Sequence, residues 1–290
     1  MRDYVIITDS TTDLTPELIN ELNISVIPME FNIDGQSYLN YSDEREISYK
    51  EFYDVLRNGK NSTTSLINTV TFTDLFEPIL KEGKDILYIA FSSGLSGTYN
   101  SSCIAAEMLL EKYPDSKIYT VDSLSASMGE GLLVYHAANK KKEGMNIEEL
   151  KEWILNNRLN LCHWFTVDDL HHLKRGGRLS SAAAIVGTML SIKPVLHVDN
   201  EGHLIPVEKV RGRKLSITAL LKMMENTAIK PEEQTIFISH GDCLEEAEYL
   251  AKLIKEKLNV KDIKINFIGP VIGSHSGPGT IALFFLGTER

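Results

Sequence analysis

Cysteine is scarce: 290 residues contain only 3, at Cys103, Cys162 and Cys243. They lie far apart and match no metal-ligand spacing, so neither a disulfide framework nor a zinc site is expected, and a reduced compartment is the simplest inference. No apolar run reaches about 18 residues, which excludes a membrane-spanning helix. The opening Met1-Arg2-Asp3-Tyr4 passes straight into an apolar strand without the features of a cleavable signal, so a cytoplasmic location is expected. Positive charge is also in short supply. With 30 Lys and Arg against 40 Asp and Glu, the formal net charge is −10. That disfavours nucleic acid as the main partner, because neutralising phosphates needs a basic face. Three enzyme signatures are missing as well: the phosphate-binding G-x-x-x-x-G-K-[ST], the dinucleotide G-x-G-x-x-G after a strand, and the G-x-S-x-G nucleophile elbow. The pair His171-His172 has no partner cluster at metal spacing, so no metal or other cofactor is expected.

What is present is an ordinary globular composition, 43% hydrophobic and 24% charged, long enough for one large or two medium domains. Short apolar runs alternate with helical ones through the first half. Tyr4 to Thr8 reads as a buried strand, followed by a helix with Thr15 as cap and Pro16 in its first turn. Ser25 to Phe31 reads as one strand leading to an Asp34-Gly35 hairpin turn. Ser48 and Glu51 fit a capping box. Strands are expected at Asp85 to Phe91 and Ile118 to Val121, each followed by a long helix. This alternation implies parallel strands with crossovers, and it gathers the polar clusters at Asp9, Ser92 and Asp122 at one carboxyl edge, where open α/β sheets bind ligands.

The second half has another rhythm. A strand from Leu161 to Val167 precedes a helical, small-residue stretch from Ser180 to Leu190, then a hairpin turning at Asp199-Asn200-Glu201-Gly202. Helices from about Lys214 and Leu244 alternate with strands at Thr235 to Ser239, Ile263 to Phe267 and Ile281 to Leu286. The expected fold is therefore α/β with a mostly parallel N-terminal domain, residues 1–158, and a second α/β domain, residues 159–290.

Several segments carry polar groups worth weighing. Ser92-Ser93-Gly94-Leu95-Ser96-Gly97-Thr98, between a strand and a helix, reads either as an anion cradle or as a capped glycine turn. Thr63-Thr64-Ser65 reads first as a cap or turn. Gly269 to Thr280 places His275 in a loop with several glycines, where backbone approaches a ligand closely. Lys174-Arg175-Gly176-Gly177-Arg178 reads as solvated charge or as a docking patch for an anionic partner. Arg211 and Arg213 follow a strand end, and an arginine fork suits a carboxylate.

Taken in order along essentially the whole chain, these segments resemble the DegV family. The matching pieces are Thr8-Asp9-Ser10-Thr11-Thr12-Asp13-Leu14, Thr63-Thr64-Ser65, Ser92 to Tyr99, Asp168-Asp169-Leu170, Leu173 to Ser180, Lys193-Pro194-Val195-Leu196, Lys209-Val210-Arg211 and Gly273 to Thr280. The resemblance implies a long-chain fatty acid buried between two domains. It assigns the carboxylate to Thr64, Ser92, Ser93, Ser96, Arg211 and His275, while the compact basic patch makes Lys174, Arg175 and Arg178 candidates for partner docking. It also implies that catalysis belongs to a separate ATP-dependent fatty acid kinase, which converts the bound acid to acyl phosphate for phospholipid synthesis. Where the family often has Gln and Pro after the hydroxyls, this chain has Leu66-Ile67-Asn68. The competing classes are a serine-dependent lipid hydrolase or acyltransferase using Ser92, Ser93 or Ser96, and a phosphate-group acceptor.

Overall fold

The structure is a computed structural model that describes residues 2–179 and 192–290. Strand β1 (Tyr4–Asp9) starts the chain, and helix α1 (Pro16–Leu22) follows, with Thr15 Oγ1 accepting from the Leu18 amide. Next come β2 (Ser25–Ile27), β3 (Glu30–Ile33), β4 (Gln36–Leu39) and α2 (Tyr49–Arg57), the last opened by the Ser48/Glu51 capping box. Then β5 (Ser62–Thr64), α3 (Thr69–Lys81), β6 (Asp85–Ala90), α4 (Thr98–Lys112), β7 (Ile118–Asp122), α5 (Met128–Lys142) and α6 (Ile147–Asn157) complete the first part. The second part holds β8 (Leu161–Thr166), α7 (His171–Arg175), β9 (Ile192–Val198), β10 (Leu204–Arg211), α8 (Arg213–Thr227), β11 (Thr235–His240), α9 (Leu244–Leu258), β12 (Asp262–Phe267), α10 (Pro270–Ser276) and β13 (Ile281–Leu286).

The first sheet is parallel, in the order β2-β1-β6-β7. Its inner strand β6 is buried at every residue, which is why Ile86 to Ala90 reads as a continuous apolar run. A small antiparallel sheet, β4-β3-β5, sits beside it. The second large sheet has the order β10-β9-β8-β13-β11-β12 and is antiparallel except for the β11/β12 pair.

Three expectations need correction. Ser25 to Phe31 is not one strand: it breaks at Pro28, which cannot donate to a ladder, and β2 and β3 join different sheets. Thr63-Thr64-Ser65 is neither cap nor turn, because Ser62–Thr64 pairs antiparallel with β3, Phe31 facing Thr64. The glycine-rich segment before β13 is largely helical: Pro270 opens α10, and only Gly277 and Gly279, at φ +79° and +75°, form the turn. The Asp34-Gly35 turn does close a two-residue hairpin, with Ile33 opposite Gln36 and both turn residues at positive φ. The helical stretch expected at Ser180 to Leu190 lies outside the described residues.

Helix α5 packs between the two large sheets. It is buried along nearly its whole first two turns, including Met128, Leu132, Leu133 and Val134. Gly129 is required there, since a Cβ at that position would stand 2.7 Å from Phe284 Cδ1. One hydrophobic core therefore runs from Ile6, Leu87 and Val121 through Leu132 to Phe165, Phe237 and Phe284. The expected division at residue 158 falls in the 3₁₀ turn Arg158–Asn160, between α6 and β8.

Candidate functional site

A cavity of about 200 Å³ opens between the carboxyl edge of the first sheet and the face of the second. Its walls are mainly apolar, with Phe91, Leu95, Phe165, Leu204, Val271 and Ala282 among them. Polar groups converge on it from four separate elements: Thr64 from β5, Ser96 from the loop before α4, Arg178 from the turn after α7 and His275 from α10.

Thr64 Oγ1 and His275 Nε2 share a hydrogen bond of 2.8 Å. The opposite ring nitrogen of His275 is buried and has no partner among the described residues. A Cβ at Gly176 would lie only 2.2 Å from that Nδ1, so the glycine at 176 is what lets α7 close over the ring. Burial, then the charges of Arg178 and Arg175, hold the His275 pKa down to about 4, so the imidazole is neutral near pH 7. Arg178 Nε donates to the Leu95 carbonyl at 3.2 Å and Nη1 donates to the Gly176 carbonyl. No acidic side chain among the described residues pairs with it. A half-buried guanidinium without a carboxylate partner, beside two neutral donors, is built for an anion. The other wall of the site closes through Ser96, whose hydroxyl lies 2.9 Å from that of Thr98.

The remaining sequence candidates sit elsewhere. Ser92 is fully buried, but its hydroxyl donates to the Gly202 carbonyl at 2.9 Å and tethers the loop to the β9/β10 turn. Ser93 is exposed, with its amide held by Asp122 Oδ1 at 3.1 Å. Arg211 is exposed at the end of β10, an edge strand, and is not among the described residues lining the cavity. Among the described residues, the arginine that lines the cavity is Arg178, which follows Gly177 at φ +69°. Lys174 and Arg175 remain exposed on α7. Leu66-Ile67-Asn68 keeps the hydroxyl segment in place: Leu66 lines the cavity, Ile67 is buried, and Asn68 Oδ1 caps α3 by accepting from the Thr71 amide at 3.0 Å.

Behind the cavity lies a buried carboxyl network that sequence reading left as a motif. Tyr88 donates to Asp9 Oδ2 at 2.7 Å, and Thr11 bridges Asp9 to Glu130, donating to Glu130 Oε2 at 2.7 Å. Asp13 accepts from Ser127 at 2.6 Å and from the Gly269 amide at 2.8 Å, so it pins α5 to the start of α10. Ser127 also lines the cavity. Burial raises all three carboxyl pKa values, that of Asp13 to about 8. The folded protein thus keeps the Asp13 proton after the unfolded chain has lost it near pH 4, and raising the pH favours unfolding. Stability is expected to fall between about pH 4 and pH 8. Asp13→Asn should flatten this slope in urea titrations at successive pH values; an unchanged slope would show that Asp13 is not a proton carrier.

Comparison with known proteins identifies the family and the overall fold. The sequence matches the DegV family over residues 3–288. It is 52% identical over 290 residues to a DegV domain-containing protein of Clostridium perfringens, covering 100% of this chain and 99% of that one. A DegV family protein from Thermus thermophilus, described as fatty acid binding, superimposes with a TM-score of 0.89 at 30% identity, covering 99% of this chain and 100% of that chain. DegV from Bacillus subtilis, described as a fatty acid binding protein, gives 0.86 at 30% identity over 99% of this chain and 100% of its own. The family match spans nearly the whole length, and this chain belongs to the DegV family.

Proposed function

We propose that this protein holds one long-chain fatty acid in the cavity and presents its carboxylate to a separate kinase. The observation that carries the reading is the polar cluster of Thr64, His275 and the acid-free Arg178 at the wall of an apolar cavity. Acyl burial supplies the affinity: about 16 carbons at about 0.8 kcal/mol per CH₂ give on the order of 10 kcal/mol before association costs. The head-group donors then set register. Arg178 neutralises the carboxylate, while Thr64, His275 and Ser96 orient its oxygens. In the partner's active site a carboxylate oxygen attacks the terminal phosphorus of ATP, giving acyl phosphate and ADP. A serine hydrolase is less well supported. Ser92 is engaged with Gly202, Ser96 with Thr98, and His275, the histidine beside Ser96 and Thr64 in the lining, bonds Thr64 rather than a serine.

Lys174 and Arg175 form the exposed basic surface nearest the head-group site, one helix turn or less from Gly176, and rim charges of this kind steer association. In a reconstituted reaction, lipid-loaded protein, fatty acid kinase and ATP should yield acyl phosphate. Lys174→Glu combined with Arg175→Glu should slow turnover severalfold at low partner concentration and low salt, with bound lipid unchanged. Unaltered turnover would leave these residues as solvated charge, and no acyl phosphate from the wild-type protein would overturn the kinase reading.

A further inference from the structure

Strand β8 alternates its side chains between two environments. Cys162 and Trp164 face the core packed by α8 and α9, whereas His163 and Phe165 face the cavity. Phe165 lies opposite Ala282 on β13 and His163 opposite Phe284. Thr280, just before β13, also lines the cavity, so the walls run from Thr280 past Ala282 and Phe165 to His163. His163 therefore stands about 7 Å further along the strand than Phe165, away from the α7 and α10 end that holds the head-group residues.

His163 is only 4% exposed, its ring lies 4.6 Å from that of Phe284 and 5.5 Å from that of Phe165, and its Nδ1 has no hydrogen-bond partner among the described residues. Buried polar groups are nearly always satisfied, and a buried imidazole offers one N–H and one lone pair. An unsubstituted acyl chain would leave that nitrogen unpaired, and a leucine or phenylalanine would line such a wall without this cost. We infer that His163 selects an acyl chain carrying an oxygen substituent, a hydroxyl or an oxo group, at the depth where the chain passes this ring. Burial keeps the imidazole neutral, well below its usual pKa, so it meets the substituent as a neutral donor and acceptor. A hydroxyl satisfies either tautomer, accepting from an N–H or donating to a lone pair, and an oxo group can only accept from the N–H. The inference rests on the fatty acid reading and makes His163 a specificity residue of the same cavity.

The test is competition against a fluorescent acyl probe on delipidated protein, comparing stearate with a positional series of hydroxystearates and the corresponding oxo acids. One positional isomer should bind wild-type protein at least about tenfold more tightly than stearate, the worth of one buried hydrogen bond. His163→Phe and His163→Leu should retain stearate and lose the preference. Stearate binding as tightly as every isomer, or a preference that both variants keep, would overturn the inference while leaving the fatty acid reading intact. The wild-type comparison decides even if one variant folds poorly. Failure of stearate and all isomers to bind would instead remove the fatty acid reading itself.

Discussion

His275→Ala is expected to lower kinase-dependent acyl phosphate formation by about 10²-fold while the protein keeps its fatty acid. The ring is fixed on one side by Thr64 at 2.8 Å and on the other by close approach to Gly176. Its removal leaves Arg178 to neutralise the carboxylate but frees the oxygens to turn, and small misplacements of a nucleophile cost large rate factors. Most binding energy resides in the acyl chain, so retention should change little. Thr64→Ala should act in the same direction, losing a single head-group hydrogen bond worth about 1–3 kcal/mol. Turnover at saturating kinase, alongside lipid content by mass spectrometry, separates the effects. Normal turnover in both variants would mean that the carboxylate sits elsewhere.

Gly94→Val is expected to destabilise the fold by about 2–4 kcal/mol, combining overpacking with a lost buried hydrogen bond. A Cβ at Gly94 would stand 2.9 Å from the Glu201 and Gly202 carbonyl oxygens, which are main-chain atoms and cannot rotate away. The same seam carries the Ser92 hydroxyl bond to Gly202. Separating it would move Leu95 and Ser96, two cavity residues, away from the β9/β10 turn. Urea denaturation measures the loss, and Ser92→Ala should show the smaller share, about 1 kcal/mol. A Gly94→Val midpoint equal to wild type would mean that the seam yields without cost.

These contacts show where sequence reading succeeds. The helix starts at Thr15-Pro16 and Ser48, and the turn at Asp34-Gly35, were legible because each depends on hydrogen bonds or dihedrals a few residues long. The parallel order of strands carrying Asp9 and Asp122 was legible from alternation alone. Tertiary partners were not. Ser62–Thr64 is a strand only because β3 offers an edge to it, and nothing in its three hydroxyl residues announces that. Ser92 and Ser96 share one motif, yet one hydroxyl tethers a distant turn and the other lines the cavity. Arg211 was expected at the carboxylate and Arg178 at a docking surface, yet Arg178 lines the cavity and Arg211 is exposed on an edge strand. His163 had a signal that went unread: in a strand from Leu161 to Val167 it shares a face with Phe165, and a histidine on a buried face needs a partner.

If the cavity belongs to a fatty acid, the purified protein should carry one. Native mass spectrometry of the purified protein tests it most directly, because a buried acyl chain dissociates slowly and survives gentle desolvation. One acyl chain per protein is expected, displaceable by added palmitate, with mass equal to the intact acid. Empty protein that gains no mass with any long-chain acid, and that releases free acid from acyl esters, would contradict it.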